Sequence, residues 1–236
     1  MAHKRIYISE LAGEAVVKHL ASLTELVVRI KSNPDLPPPV SAHADMQMLM
    51  IEDTLIITRE LYNSIKETLP DNIIITFAEN NHTNEYPGDV NLNALYVRKC
   101  LFANSAYLDP TVNLVCERKG IGLINVKQGY AKCSTLNVGD DAIITADPTI
   151  AKAAELNGID VLLISAGNIV LSGYNYGFIG GASFYDPYSR TVYFFGDLDN
   201  HPDSYRITEF CKRHNTKVIS CSTSPLIDLG GAVVIQ

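Results

Sequence analysis

Cys133 and His43 are the residues of this chain best suited to covalent chemistry. Cys133 sits in Gln128-Gly129-Tyr130-Ala131-Lys132-Cys133-Ser134-Thr135-Leu136, a glycine-led, strand-like stretch that ends in two hydroxyl residues and leucine. His43 opens His43-Ala44-Asp45, and a carboxylate two residues on can orient an imidazole or hold a cation. A thiolate attacks an electrophilic carbon, and it forms readily only where a cation lowers the thiol pKa. An imidazole protonates a leaving amine and then takes a proton from water. A cysteine and a histidine that meet in a fold can therefore open a C–N bond through a covalent intermediate. Each residue also has a plainer role. A strand cysteine commonly belongs to the core. A histidine after a proline-rich loop caps a turn, and an aspartate there makes an Asx-type bond to the backbone.

The elements that must bring the two together repeat along the chain. Arg5 to Ser9 reads as a strand, Ser9 as the cap of a helix from about Glu10 to Ser22, and Glu25 to Ile30 as a second strand. A linker with four prolines follows, between Asn33 and Pro39. Then hairpin, helix and strand recur. The first unit has a hairpin turning at Glu52-Asp53, a helix from Arg59 capped by Thr58, and the strand Asn72 to Phe77. The second has Asp89 to Val97 and Lys99 to Ala103, a helix opened by Asp109-Pro110 and ended by Gly120, and Gly122 to Val126. The third has Tyr130 to Asn137 and Asp141 to Thr145, a helix opened by Asp147-Pro148, and Ile159 to Ser165. The fourth has Tyr176 to Tyr185 and Thr191 to Gly196, the helix His201 to Arg213, and Lys217 to Cys221. Asp228 to Ile235 is a last strand that pairs beside Arg5 to Ser9 and completes a fifth unit from the two termini.

Asp45, Asp89 and Cys133 are spaced 44 residues apart in turn, Gly177 follows 44 later, and Asp228 lies 51 beyond it. A period near 44 over the whole chain predicts one domain, residues 1–236, built as a closed array of five units. Closure removes exposed sheet edges.

This pattern resembles the pentein superfamily, the five-bladed β/α-propellers. That superfamily includes arginine deiminase, dimethylarginine dimethylaminohydrolase and agmatine deiminase, and also a non-catalytic ribosome anti-association factor. His43-Ala44-Asp45 before Met46-Gln47-Met48 resembles the His-x-Asp strand of the deiminases. Tyr86-Pro87-Gly88-Asp89-Val90 to Asn93 is similar to the following blade. Gly129 to Ser134 is similar to the glycine-rich lead-in and catalytic Cys-x-Ser/Thr. In the familiar enzymes the cysteine lies near the C-terminus; its mid-chain place here implies a circular permutation. The blades that would supply acids to a guanidinium read Gly177-Phe178-Ile179-Gly180-Gly181-Ala182 and Ile227-Asp228-Leu229-Gly230-Gly231-Ala232. Glycine and alanine (Gly180, Gly181, Ala232) stand where the family has acids, and Asp228 is shifted. The resemblance implies a cysteine-dependent, guanidine-modifying hydrolase of the deiminase, amidinohydrolase or amidinotransferase type. Cys133 would be the nucleophile, His43 the acid/base and Asp45 its partner. Asp89, Asp228, Asn93 and Ser134 would bind a small-molecule substrate, with no metal and no cofactor. It equally admits a pentein without catalysis that serves as a binding protein.

Composition narrows the partners. Hydrophobic residues make up 47% and charged residues 19%, enough for a large packed core. A net charge of −7 argues against a nucleic-acid surface. No apolar run reaches the roughly 18 residues that span a bilayer, and the N-terminus lacks a secretory apolar region. Five cysteines, odd in number and without a CxxC pair, fit a reducing cytoplasm. His201 and His214 are expected at the surface. Tyr174, Tyr176, Tyr185 and Tyr188 fall on one hairpin, as a lid or an oligomer contact such as a homodimer's.

Overall fold

The computed structural model describes residues 4–236. Its strands form five three-stranded sheets among these residues, and four of the sheets follow one rule. A short antiparallel hairpin comes first, a helix crosses over, and a third strand adds in parallel beside the second. Thus β3 (Met48–Ile51) pairs antiparallel with β4 (Thr54–Ile57), helix α3 (Arg59–Ile65) crosses, and β5 (Ile74–Phe77) lies parallel to β4. The same holds for β6 (Leu95–Val97), β7 (Cys100–Ala103), α4 (Pro110–Lys119) and β8 (Gly122–Asn125). It holds again for β9 (Thr135–Val138), β10 (Ala142–Thr145), α5 (Pro148–Leu156) and β11 (Asp160–Leu163). The fourth set is β12 (Ser183–Asp186), β13 (Thr191–Phe194), α6 (Ser204–Arg213) and β14 (Lys217–Ser220). The fifth sheet draws on both ends of the chain. β15 (Ala232–Ile235) runs antiparallel to β1 (Arg5–Ser9), and β2 (Leu26–Ile30) lies parallel to β1 after helix α1 (Glu14–Ala21).

Local chemistry sets the crossovers. Asp109 and Asp147 accept hydrogen bonds from the N–H groups of Thr111 (2.8 Å) and Thr149 (2.7 Å), and Pro110 and Pro148 open their helices. Thr58 caps α3 by accepting from Leu61 N–H. Gly120 ends α4 in the left-handed conformation at φ 65°. The expectation for α1 is corrected. Its N-cap is Gly13, not Ser9, and Ser9 Oγ instead accepts from Leu11 N–H in a turn that delays the helix.

The core is divided among the junctions between neighbouring sheets. Leu49, Ile51 and Ile56 of one sheet meet Leu101 and the α4 residues Val112 and Val115 of the next. Leu136 and Ile144 meet Val192, Phe194 and the α6 residues Ile207 and Phe210. Ile6 and Ile8 meet Phe184 and Tyr193 on one side of the β1 sheet. Tyr7 and Ile235 meet Met48, Leu55 and Ile57 on the other.

The largest departure from the sequence pattern is shared by several sheets. The first strands begin later than expected: at Leu95 rather than Asp89, at Thr135 rather than Tyr130, at Ser183 rather than Tyr176, and at Ala232 rather than Asp228. Before β3 the expected strand is a single turn of helix, α2 (Ala44–Gln47). Several of the bent lead-ins carry buried polar side chains: Asn93 bonds to Cys133, and Asp228 accepts from Phe178 N–H of the Tyr176 to Ala182 lead-in. His201 is corrected too. It is buried, and its Nδ1 accepts from Asp203 N–H at 3.1 Å.

Candidate active site

Four lead-ins converge on one buried polar cluster. His43 precedes α2 and Asp45 lies within it; Asn93 ends the 86–94 segment; Cys133 closes the 128–134 turn; Asp228 stands before β15. All five side chains are buried. Donor atoms of His43, Asp45 and Cys133 lie within 4.8 Å of one another, and these three are the only His/Cys/Asp/Glu grouping among the described residues with the spacing of a metal donor set. The Cys133 thiol donates to Asp45 Oδ2 at 3.0 Å, so its proton lies between two of those donors.

Asn93 holds the cysteine in place. Its Oδ1 accepts from the N–H groups of Lys132 (2.9 Å) and Cys133 (3.2 Å), and its Nδ2 donates to Cys133 Sγ at 3.1 Å and to Asp45 O at 3.2 Å. Asp228 Oδ2 accepts from Phe178 N–H (2.8 Å) and Oδ1 from Gly230 N–H (3.0 Å). Asp228 Oδ1 also lies 3.9 Å from His43 Nδ1, which makes no hydrogen bond itself.

Two glycines make this crowding feasible. A Cβ at Gly181 would fall 1.9 Å from Asp228 Oδ1, and one at Gly230, which has φ +72°, would fall 2.2 Å from His43 Cβ. Gly181, one of the residues found where the resemblance implied acids, therefore makes room for Asp228, and Gly230 makes room for His43.

The electrostatics favour neutral groups. Burial pushes the Asp45 carboxyl up to about 6, against the opposing pull of His43 and Lys132. Burial also pushes the Cys133 thiol well above its ordinary value, and the charges of Asp45 and Asp228 add to this. Among the described residues Asp45 Oδ1 is buried without a partner, and so is Asp89 Oδ1.

Asp89 lies beside this cluster, bonded to a tyrosine and not to the thiol. Its Oδ2 accepts from Tyr130 OH at 2.6 Å. Burial and that bond hold the Tyr130 phenol far above its usual range. Tyr130 belongs to a row of rings, Tyr107, Tyr86, Tyr130, Phe178 and Tyr176, with successive centroids 5.6, 6.0, 6.2 and 6.4 Å apart. Leu36, Val40 and Leu171 pack into the same apolar layer as Cys133.

Of the expected site residues, the fold brings Cys133, His43, Asp45, Asn93 and Asp228 together. Asp89 sits one ring away. Ser134 Oγ is buried without a partner, and Ser134 lines a separate cavity of about 140 Å³ with Gln128, Asp147 and Ser165. The tyrosine group divides: Tyr176 joins the ring row, while Tyr185 and Tyr188 line a cavity at the hairpin turns. Sequence reasoning missed Tyr130 and Lys132 as site residues. Both stand in the Cys133 motif, but a looped lead-in has no fixed period to say which way they point.

A family model described as "Family of unknown function (DUF6873)" matches residues 7–233. No protein of curated function matches the chain. Among solved structures, a cysteine-to-serine mutant of dimethylarginine dimethylaminohydrolase from Pseudomonas aeruginosa, complexed with citrulline, has a TM-score of 0.56 at 13% identity. The match covers 94% of this chain and 93% of that one. An adduct of dimethylarginine dimethylaminohydrolase with S-methyl-L-thiocitrulline has a TM-score of 0.55 at 14% identity over the same shares. An arginine dihydrolase of the ornithine-ammonia cycle in cyanobacteria has a TM-score of 0.53 at 12% identity, covering 95% of this chain and 36% of that one. The likeness is one of fold, the five-bladed β/α-propeller of the penteins.

Proposed function

The chain belongs to DUF6873, a family of unknown function, and we propose that it is a cysteine-dependent hydrolase that opens a C–N bond of a small guanidine or amidine. The observation that carries this reading is the buried Cys133–Asp45 contact with His43 and Asn93 around it. The fold neighbours named for arginine and dimethylarginine chemistry point the same way.

The chemistry follows from the charges. With the site empty, burial first, and the charges of Asp45 and Asp228 after it, keep Cys133 a thiol. A guanidinium between those carboxylates reverses the sign of the local field and favours the thiolate. The Sγ–H proton passes to Asp45 Oδ2, and Sγ bonds to the central carbon. A C–N bond breaks as the amine leaves with a proton from His43, and a thiouronium remains on Cys133. His43 then takes a proton from water, hydroxide adds to the carbon, and the C–S bond breaks to restore the cysteine. The net change is guanidinium plus water to a ureido product plus ammonium. Bare Asp45 Oδ1 and Asp89 Oδ1 are acceptors for the substrate N–H groups, and the ring row is a surface for a cation.

A second reading rests on the same thiol. Its raised pKa and its burial under Leu36, Val40 and Leu171 suit a pentein that binds without catalysis. One experiment separates the two. Under the hydrolase reading, 2-chloroacetamidine labels Cys133 faster than Cys116 or Cys211, and a panel of guanidines yields ammonia with wild type and none with Cys133→Ser. Equal labelling of the three thiols and no ammonia from any guanidine leaves the binding reading.

A further inference from the structure

On the far side of Asp45 the axis opens instead of closing. A cavity of about 140 Å³ has Asp45 and Gly230 in its wall. It shares Tyr96, Lys132, Asn137 and Tyr185 with a larger one of about 470 Å³, so the two are continuous. The larger cavity reaches the hairpin turns at Glu52, Arg98-Lys99, Gly139-Asp140 and Pro187-Tyr188. Residues of the first strands β3, β6, β9, β12 and β15 all contribute to these walls. The combined space is that of a small-molecule site.

Most of its rim groups are already paired: Tyr96 Oη donates to Glu52, Asn137 Nδ2 to Tyr96 O, Arg98 to Gly158 O and Arg190 to Asp140. Lys132 makes no side-chain hydrogen bond or ion pair among the described residues, whereas Lys99 at the rim lies 3.9 Å from Glu52. Tyr185 Oη and Asn137 Oδ1 are buried without partners among the described residues. Tyr96, Tyr185 and Phe184 supply flat apolar walls. One ammonium without an ion-pair partner among the described residues, one free hydroxyl donor and aromatic faces match a ligand with one negative charge and an apolar body. A doubly charged anion is disfavoured, because Asp45 stands at the inner end.

We infer that this axial cavity is a binding site for a small aromatic or aliphatic carboxylate, held by Lys132 Nζ and Tyr185 Oη, and separate from the Cys133 site. It does not depend on what Cys133 does. Lys132 and Cys133 N–H both bond to Asn93 Oδ1, so a single side chain lies between the two sites.

Titration calorimetry on the full chain tests this with sodium benzoate as probe and inorganic phosphate as the second arm. Wild type is expected to bind benzoate at roughly 0.1–1 mM and phosphate more weakly. Lys132→Met should weaken benzoate by about tenfold or more, the loss of one charge-assisted hydrogen bond. Tyr185→Phe should weaken it about threefold, and it decides the matter if Lys132→Met does not fold. Cys133→Ser should bind as wild type. No heat at roughly 10 mM benzoate, tighter phosphate than benzoate, or affinity unchanged in the folded Lys132 and Tyr185 variants would overturn the assignment. Loss of binding in Cys133→Ser would place the probe at the other site and overturn it equally.

Discussion

Asp45 separates two regions built from the same repeat. On one side the lead-ins to the first strands bring Asp45, Asp89 and Asp228 into the buried interior with Cys133, His43 and a row of rings, and the thiol is buried. On the other side the same strands run straight to their turns and leave a cavity of about 470 Å³ with Lys132, which has no ion-pair partner among the described residues, in its wall. The difference lies in where each unit stops being a ladder. A bent lead-in turns consecutive side chains inward and fills the axis. A regular strand sends only alternate side chains there and leaves it open. The bent half is buried, and the open half retains an open mouth.

The contrast can be broken from either side. The largest expected effect is at the thiol. Cys133→Ser should lower guanidine turnover by about a thousandfold or more, with urea unfolding unchanged to within about 1 kcal/mol. A variant that keeps its turnover would remove Cys133 from the chemistry. Next comes the crowding. Gly181→Ala must displace Asp228 and should destabilise the protein by about 3 kcal/mol or more. An alanine tolerated there would mean the closed half is loosely packed. Asp45 tests the electrostatics. Its carboxyl is raised to about 6 in the folded chain, above an ordinary unfolded value near 3.9. Its contribution to stability is therefore fully present below about pH 4 and lost as pH rises through about 6. The stability difference between wild type and Asp45→Asn should drift by about 3 kcal/mol across that window; a flat difference would mean Asp45 is solvated. The smallest effect is at the ring row. Tyr130→Phe removes one hydroxyl from Asp89 and should cost about 1–2 kcal/mol by urea unfolding; no loss would mean that water replaces the phenol.

The sequence carried the fold because its punctuation is chemical and local. Asp109-Pro110 and Asp147-Pro148 read as helix starts and are, and the 44-residue phase set Asp45, Asp89 and Cys133 on equivalent units. The same phase brought His43, Asp45 and Cys133 to one place. It did not tell that Asp89 would be taken up by Tyr130, that Ser134 would line another cavity, or that Asn93 would be the hub of the cysteine turn. These depend on how an irregular segment folds back, and hydrophobic periodicity carries no information about that. His201 was misplaced for a related reason: a buried histidine whose acceptor role is met by the neighbouring Asp203 N–H has no signature in composition.

The sheet shared by the two ends of the chain has a consequence in time. Ile6 lies opposite Val234, so β1 waits for a partner made 234 − 6 = 228 residues later. At about 5–20 residues per second the interval during synthesis is roughly 10–50 s. For that period β1 presents one bare edge, and bare edges recruit strands from other chains. Ribosomes translating the same transcript in close succession would hold several such edges near one another. The yield of folded protein in the cell should then depend on how fast the last strand arrives, and on any chaperone that covers Arg5–Ser9 until it does.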